Sequence, residues 1–197
     1  MDQTKNIVNE KRESMLVKME QNQTALLIID VQERLIKAIE KNDLIVQNIR
    51  KLIMASNILK FDKFFTEQNP EKLGTTINML VEDEDIHVYS KMNFSCIVCN
   101  DLIKSLEDKK IKSLVLCGIE SHICVQQTAI DLMNKGFNIF IAIDAIGSRN
   151  SIDNDIAIRR LETSGAIATT CESIIFEWCM TADRTEFKAI SKLIREG

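Results

Sequence analysis

The feature that most constrains how this chain folds is a rhythm of short apolar, β-branched runs separated by longer amphipathic stretches. The runs fall at 25–29, 61–66, 86–89, 113–117, 138–143 and 166–169. Each has the length of a strand. Their apolar residues are near-continuous instead of alternating, which is the pattern of a sheet covered on both faces. The stretches between them carry a helical period. In 43–60, Ile45, Ile49, Leu52, Ile53 and Leu59 share one face. In 121–135, Val125, Ala129, Leu132 and Met133 do the same, and Gly136 stands where a left-handed residue ends a helix. Residues 184–196 read as a closing helix. Strand alternating with helix predicts an α/β fold, one doubly wound three-layer domain with helices on both faces of a mostly parallel sheet. A single composition zone with one Pro and six Gly leaves no linker, so the domain is expected over 23–197, with 1–22 as an N-terminal extension. Ligands of such folds bind beyond the C-terminal strand ends, where the strand order reverses.

Composition narrows the partners. Of 197 residues 45% are apolar, enough for one sizeable core, and the formal net charge is −4. Nucleic-acid backbones need a basic footprint, so no nucleic acid is expected, and 5% aromatic residues leave few stacking platforms. Apolar runs such as 25–29 are too short to cross a bilayer, so no membrane partner is expected. The start of the chain interleaves Lys5, Lys11, Arg12 and Lys18 with Asp2, Glu10, Glu13 and Glu20. That mixture resembles neither a signal peptide nor an acid-poor presequence, and a cytoplasmic location is expected. The six cysteines then read as thiols and not as a disulfide framework. Cys96 and Cys99 form a CxxC without the second half of a zinc site, and read as two buried small hydrophobes at a helix start.

Three residues at strand ends carry the chemistry. Asp30 closes the first run, in ALLIIDVQ. A carboxylate there is either a partly desolvated base or the N-cap of a following helix. Lys91 follows the third run, in HVYSKMNFS, and reads as a solvated strand end or as a cation poised beside an oxyanion. Cys124 follows the fourth run, in LCGIESHICV, on the first turn of a helix that Ser121 can cap. A helix N-terminus favours thiolate, so a nucleophile belongs there. Cys117 lies inside the strand and reads as structural, while Gly118 permits a sharp turn at its exit. His122 is two residues from Cys124 and cannot face it on a helix. His87, placed mid-strand, reads as a packing residue.

Acid, lysine and cysteine thus each close a different parallel strand on one sheet edge. This arrangement resembles the isochorismatase-like hydrolase superfamily, also called the cysteine hydrolases. ALLIIDVQ, SKMNFS and GIESHICVQQTAIDLMNKGF are the matching segments, over about residues 23–180, and FFTEQNPEKLG is most similar to small eukaryotic and protozoan isochorismatase-domain proteins. The resemblance implies a six-stranded parallel sheet of order 3-2-1-4-5-6 and a catalytic triad of Asp30, Lys91 and Cys124. It further implies a cis peptide between Ile119 and Glu120, and an oxyanion hole made by the backbone N–H groups of Glu120 and Cys124. Gln32, Gln68 and Phe94 are expected to contact a small-molecule substrate. The implied activity is hydrolysis of an amide or related C–N bond through a covalent cysteine intermediate. Alternatives are isochorismatase-type vinyl-ether hydrolysis, or a non-catalytic interaction protein keeping the fold. Ribonuclease activity is disfavoured by the acidic balance and the lack of a histidine pair. Nicotinamidases of the superfamily hold a metal with an Asp-x-His after the second strand. Thr66-Glu67-Gln68-Asn69-Pro70 has no such motif, so neither metal nor cofactor is expected. Relatives commonly assemble, and a homo-oligomer is expected.

Overall fold

The computed structural model describes residues 18–81 and 86–196; most of the extension, 1–17, lies outside the described residues. Six strands form one sheet: β1 Thr24–Ile29, β2 Asp62–Gln68, β3 Val88–Lys91, β4 Ser113–Ile119, β5 Asn138–Gly147 and β6 Ile167–Thr169. Their order is β3-β2-β1-β4-β5-β6, and every pairing is parallel. The helices are α1 Asn42–Leu59, α2 Pro70–Leu73, α3 Asn100–Asp108, α4 Gln126–Asn134, α5 Ser151–Thr163, α6 Cys171–Cys179 and α7 Phe187–Glu196.

The six residues of β1 are all buried, and they alternate between two cores. Leu26 and Ile28 join residues of α1, α6 and α7, such as Leu52, Trp178 and Ile190. Ala25, Leu27 and Ile29 join residues of α3, α4 and α5, such as Leu106, Ala129 and Leu161. This two-sided burial is why the strand reads as an unbroken apolar run. Helix α1 ends at Lys60 in the left-handed region, and α4 ends before Gly136 at φ 92°, as its sequence requires. Met19 is buried in the α1–α6–α7 core, and its N–H donates to Glu177 Oε1 at 2.9 Å.

Strand boundaries depart from the sequence reading at β2 and β3. Strand β2 continues through Glu67 and Gln68, whose polar side chains are buried with partners. Strand β3 starts at Val88 and includes Lys91. His87 therefore lies before the strand, exposed, with its ring edge-on to Tyr89 at 4.5 Å. Gly118 acts inside β4 and not at its exit. It stands opposite Ile29 at φ 117°, and an added Cβ there would meet Ile29 O at 2.1 Å. Only glycine lets these backbones approach so closely at the β1–β4 switch point.

Candidate active site

Asp30 follows β1 directly, in the left-handed region at φ 53°, which Asp tolerates better than most residues. It is fully buried, and no α-helix begins after it, so it is not a helix cap. Its carboxylate accepts from Lys91 Nζ at 2.5 Å on Oδ2 and from Thr66 Oγ1 at 2.8 Å on Oδ1. Cys124 lies near enough for the same carboxylate to push its thiol pKa up. Residues ending β1, β3 and β4 thus meet at one carboxylate. Lys91 crosses the width of β2 to reach it, a span of roughly 10 Å at about 4.8 Å per strand.

Lys91 is not a solvated strand end: neither its side chain nor that of Asp30 has exposed surface. Burial opposes its charge, yet the Asp30 carboxylate bonded to it holds its pKa above the ordinary lysine value. Gln68 steadies the ammonium, accepting from Nζ at 3.1 Å through Oε1 while its Nε2 donates to Met92 O at 2.7 Å. Gln32 is fully buried and braces this strand end. Its Nε2 donates to Gln68 O at 3.0 Å and Gly74 O at 2.6 Å, and its Oε1 accepts from Gln68 N–H at 2.8 Å. Phe94, three residues beyond Lys91, is 50% exposed.

Cys124 sits in a single π-turn, Ser121–Val125, that leads into α4. Such turns are frequent at functional sites. The peptide between Ile119 and Glu120 is cis. Glu120 O then accepts from the N–H groups of Ile123 at 3.1 Å and Val125 at 3.2 Å, which shapes the turn. Three side chains tie this turn to the chain after β5. Glu120 Oε2 accepts from both N–H and Nε of Arg149 at 3.0 Å. Ser121 does not cap the helix; its Oγ donates to Asn154 Oδ1 at 2.7 Å. His122 pairs through Nδ1 with Ser148 Oγ at 2.8 Å, away from any dyad with Cys124.

The thiolate expected at Cys124 is the point where structure and sequence reading diverge. Burial pushes the thiol's pKa well above 9.0, Asp30 pushes it further, and Lys91 offsets only part of this. Cys124 is 5% exposed, and burial beside the Asp30 carboxylate favours its protonated form. Cys117 is buried with its thiol on Leu27 O at 3.8 Å, as a structural residue. Cys96 is buried, but Cys99 is half-buried, so the CxxC is not a pair of core residues.

Thr66 and Cys96 are site residues that the sequence reading did not single out. Thr66 pairs with Ile29 in the β1–β2 register and so comes to Asp30. Cys96 donates through Sγ to Thr66 Oγ1 at 3.6 Å. The polar residues at the end of β2 are already engaged with protein partners. Glu67 Oε1 is held by the N–H and hydroxyl of Thr76, and Gln68 is held by Lys91 and Met92. Among the described residues, no three His, Cys, Asp or Glu side chains converge as metal ligands.

A model of the isochorismatase domain matches residues 24–173. This chain belongs to the isochorismatase family. Isochorismatase domain-containing protein 2 of Xenopus laevis is 33% identical over 181 residues, covering 91% of this chain and 87% of the relative. Secreted isochorismatase effector Isc1 of Phytophthora sojae (strain P6497) is 34% identical over 180 residues, covering 88% of this chain and 85% of the relative. Among solved isochorismatase-like folds, a Caenorhabditis elegans structure described as MAR1 ribonuclease superposes with a TM-score of 0.85 at 34% identity, covering 92% of this chain and 94% of that one. No described helix is long and apolar enough to cross a membrane.

Proposed function

We propose that this isochorismatase-family chain is a cysteine hydrolase of a small amide or related C–N bond, with Asp30, Lys91 and Cys124 as its catalytic residues. The observation that carries the reading is the Asp30 carboxylate, which accepts from Lys91 Nζ and acts on the neighbouring Cys124 thiol. Asp30 takes the Sγ proton as Sγ attacks the carbonyl carbon, and the carbonyl π pair moves onto oxygen. The backbone N–H groups of Glu120 and Cys124 receive that oxyanion. When the oxyanion collapses, the C–N bond breaks and the amine leaves with the proton held by Asp30. A water then gives a proton to Asp30, attacks the thioester and releases the acid, and Asp30 returns the proton to Cys124 sulfur. Lys91 stays charged throughout and offsets the charge of the carboxylate it is bonded to. The catalytic logic of a thiol kept protonated beside its own base is that charge develops on sulfur only as the substrate is attacked.

Phe94 is proposed as an exposed apolar wall at the site mouth, and Gln68 and Gln32 as the residues that hold the substrate side of Lys91 in place. An RNA substrate, which the description of the C. elegans relative raises, is opposed by the net charge of −4 and by the engagement of His122 with Ser148. A cytoplasmic location is supported by six unpaired cysteines, while the P. sojae relative is described as secreted. Assembly into a homo-oligomer, implied by the resemblance, belongs to the same proposal.

Exposure to a panel of small amides and aldehydes, followed by intact and peptide mass spectrometry, tests the reading. A covalent adduct is expected on Cys124, lost in Cys124→Ala and Asp30→Asn, and unchanged by chelator. Turnover of a chorismate-derived enol ether that persists in Cys124→Ala would establish the vinyl-ether reading instead. The absence of both adduct and turnover would favour a non-catalytic role.

A further inference from the structure

Thr66 takes no step in this chemistry, yet it grips the residue proposed as its base at two points. Its carbonyl accepts from the Asp30 N–H at 3.1 Å, and its Oγ1 donates to Asp30 Oδ1 at 2.8 Å. Lys91 takes the other oxygen, Oδ2, so the two carboxylate oxygens are held from different strands, β2 and β3. The two grips differ in kind. Lys91 reaches the site on a flexible four-carbon arm that can follow a shifting carboxylate. Thr66 is 1% exposed and β-branched, and its backbone pairs with Ile29 in the β1–β2 ladder, so its hydroxyl sits where the strand puts it. On its other side Oγ1 meets the Cys96 sulfur at 3.6 Å, a far weaker acceptor for the Thr66 proton than a carboxylate.

We infer that Thr66 is a positioning residue whose hydroxyl fixes the Asp30 carboxylate in the orientation from which Asp30 takes the proton of Cys124. The inference rests on the reading of Asp30 as that base. Asp30 needs such a hold because it stands in the left-handed region, after β1 has ended and before any helix begins. Without the Thr66 hydroxyl, one oxygen of a fully buried carboxylate loses its donor, and the group turns toward the donor that remains. That donor is Lys91 Nζ, so the carboxylate is drawn toward β3 and away from the turn after β4 that carries Cys124. No neighbour takes over. The ionisable groups acting on Cys124 are Asp30 after β1, Lys91 at the end of β3, and Cys96 in the loop beyond it. Lys91 is charged and has no lone pair to offer, and burial pushes the Cys96 thiol up to about 12.

Peptide-resolved iodoacetamide labelling of Cys124 in the full chain, from neutral to alkaline pH, reads this out without a substrate. Sulfur displaces iodide to form a thioether, and the thiol proton goes to Asp30 at neutral pH or to hydroxide at alkaline pH. Thr66→Val keeps the branched shape of the side chain and removes its hydroxyl. It is expected to slow neutral labelling about three- to tenfold, the scale of one hydrogen bond, with the deficit shrinking as pH rises. Thr66→Ser keeps a hydroxyl and restores the wild-type profile. Asp30→Asn slows neutral labelling too, and adding Thr66→Val to it brings no further loss, because both changes act through one group. If Thr66→Val fails to fold, Thr66→Ala against Thr66→Ser repeats the comparison at matched size. A profile without the hydroxyl that overlays the wild type overturns the inference. A deficit that is equal at every pH, shared by Thr66→Ser, or undiminished on top of Asp30→Asn also overturns it, since each assigns Thr66 to packing. The base reading fails separately, and takes the inference with it, if Asp30→Asn leaves Cys124 labelling unchanged or faster.

Discussion

Lys91 and Asp30 form an ion pair with no exposed side-chain surface on either partner. Such a pair is weak evidence of stabilisation, because the desolvation of two charges offsets most of their attraction. Removing one partner is another matter, since it leaves an uncompensated buried charge at a cost of about 3–5 kcal/mol. Lys91→Met and Asp30→Asn are therefore each expected to lose stability on that scale in urea titrations. The double variant Lys91→Met, Asp30→Asn should recover much of it. Cys124 should remain unreactive toward amides in the double variant, because restoring neutrality does not restore the proposed base. Recovery of adduct formation together with stability would mean that Asp30 and Lys91 matter only for folding. Lys91→Arg is not expected to substitute either. A planar guanidinium cannot take the place of a point charge that sits on both Asp30 Oδ2 and Gln68 Oε1.

At the scale of elements, the site exists because β1 and β4 lie side by side at the switch point, each followed by an irregular turn. After β1 the turn is the left-handed Asp30, and after β4 it is the π-turn that carries Cys124. Gly118 lets the two strands close on each other, and its φ of 117° suits no side chain. Gly118→Ala should lower the unfolding free energy by at least about 2 kcal/mol, from strain and from the clash with Ile29 O. It should also reduce Cys124 reactivity, because the strand end carrying the π-turn must move. A variant with wild-type urea midpoint and labelling would show that the approach of β4 to Ile29 is slack. The turns are braced from outside the triad as well. Glu120 on Arg149, Ser121 on Asn154 and His122 on Ser148 bind the turn after β4 to the chain after β5. These contacts explain why polar residues cluster there without acting as nucleophile or base.

Across the whole molecule, buried thiols set how stability responds to alkali. Burial raises Cys96 from 9.0 to about 12, so the native state keeps a proton that the unfolded chain loses. Below pH 9.0 both states hold it and the contribution is intact; between pH 9.0 and about 12 the unfolded state binds fewer protons and stability falls. Urea midpoints are expected to decline over that window. Cys96→Ala should flatten the decline by up to about 1.4 kcal/mol per pH unit, the slope of one proton. An unchanged slope would mean that Cys96 ionises alike in both states.

Much of this protein was determined by its sequence alone. The period of apolar residues reports whether a segment is covered on one face or two, which is why the strand–helix rhythm, the three layers and the parallel sheet were legible. Strand ends are also local features, and they located Asp30, Lys91 and Cys124 before any geometry was known. The tertiary structure decided the rest. Thr66 and Cys96 come together near Asp30 through the β1–β2 register and the loop after β3; they are distant in sequence, and the CxxC that holds Cys96 does not point to Asp30. Glu67 and Gln68 read as loop residues because polar side chains rarely enter a strand end, yet their burial is made tolerable by Thr76, Lys91 and Met92. A local argument, the helix terminus, favoured thiolate at Cys124, and burial beside Asp30 reverses it. Hydrophobic period is written into each segment separately, whereas desolvation and Coulomb energy depend on which segments meet, and only the folded chain brings them together.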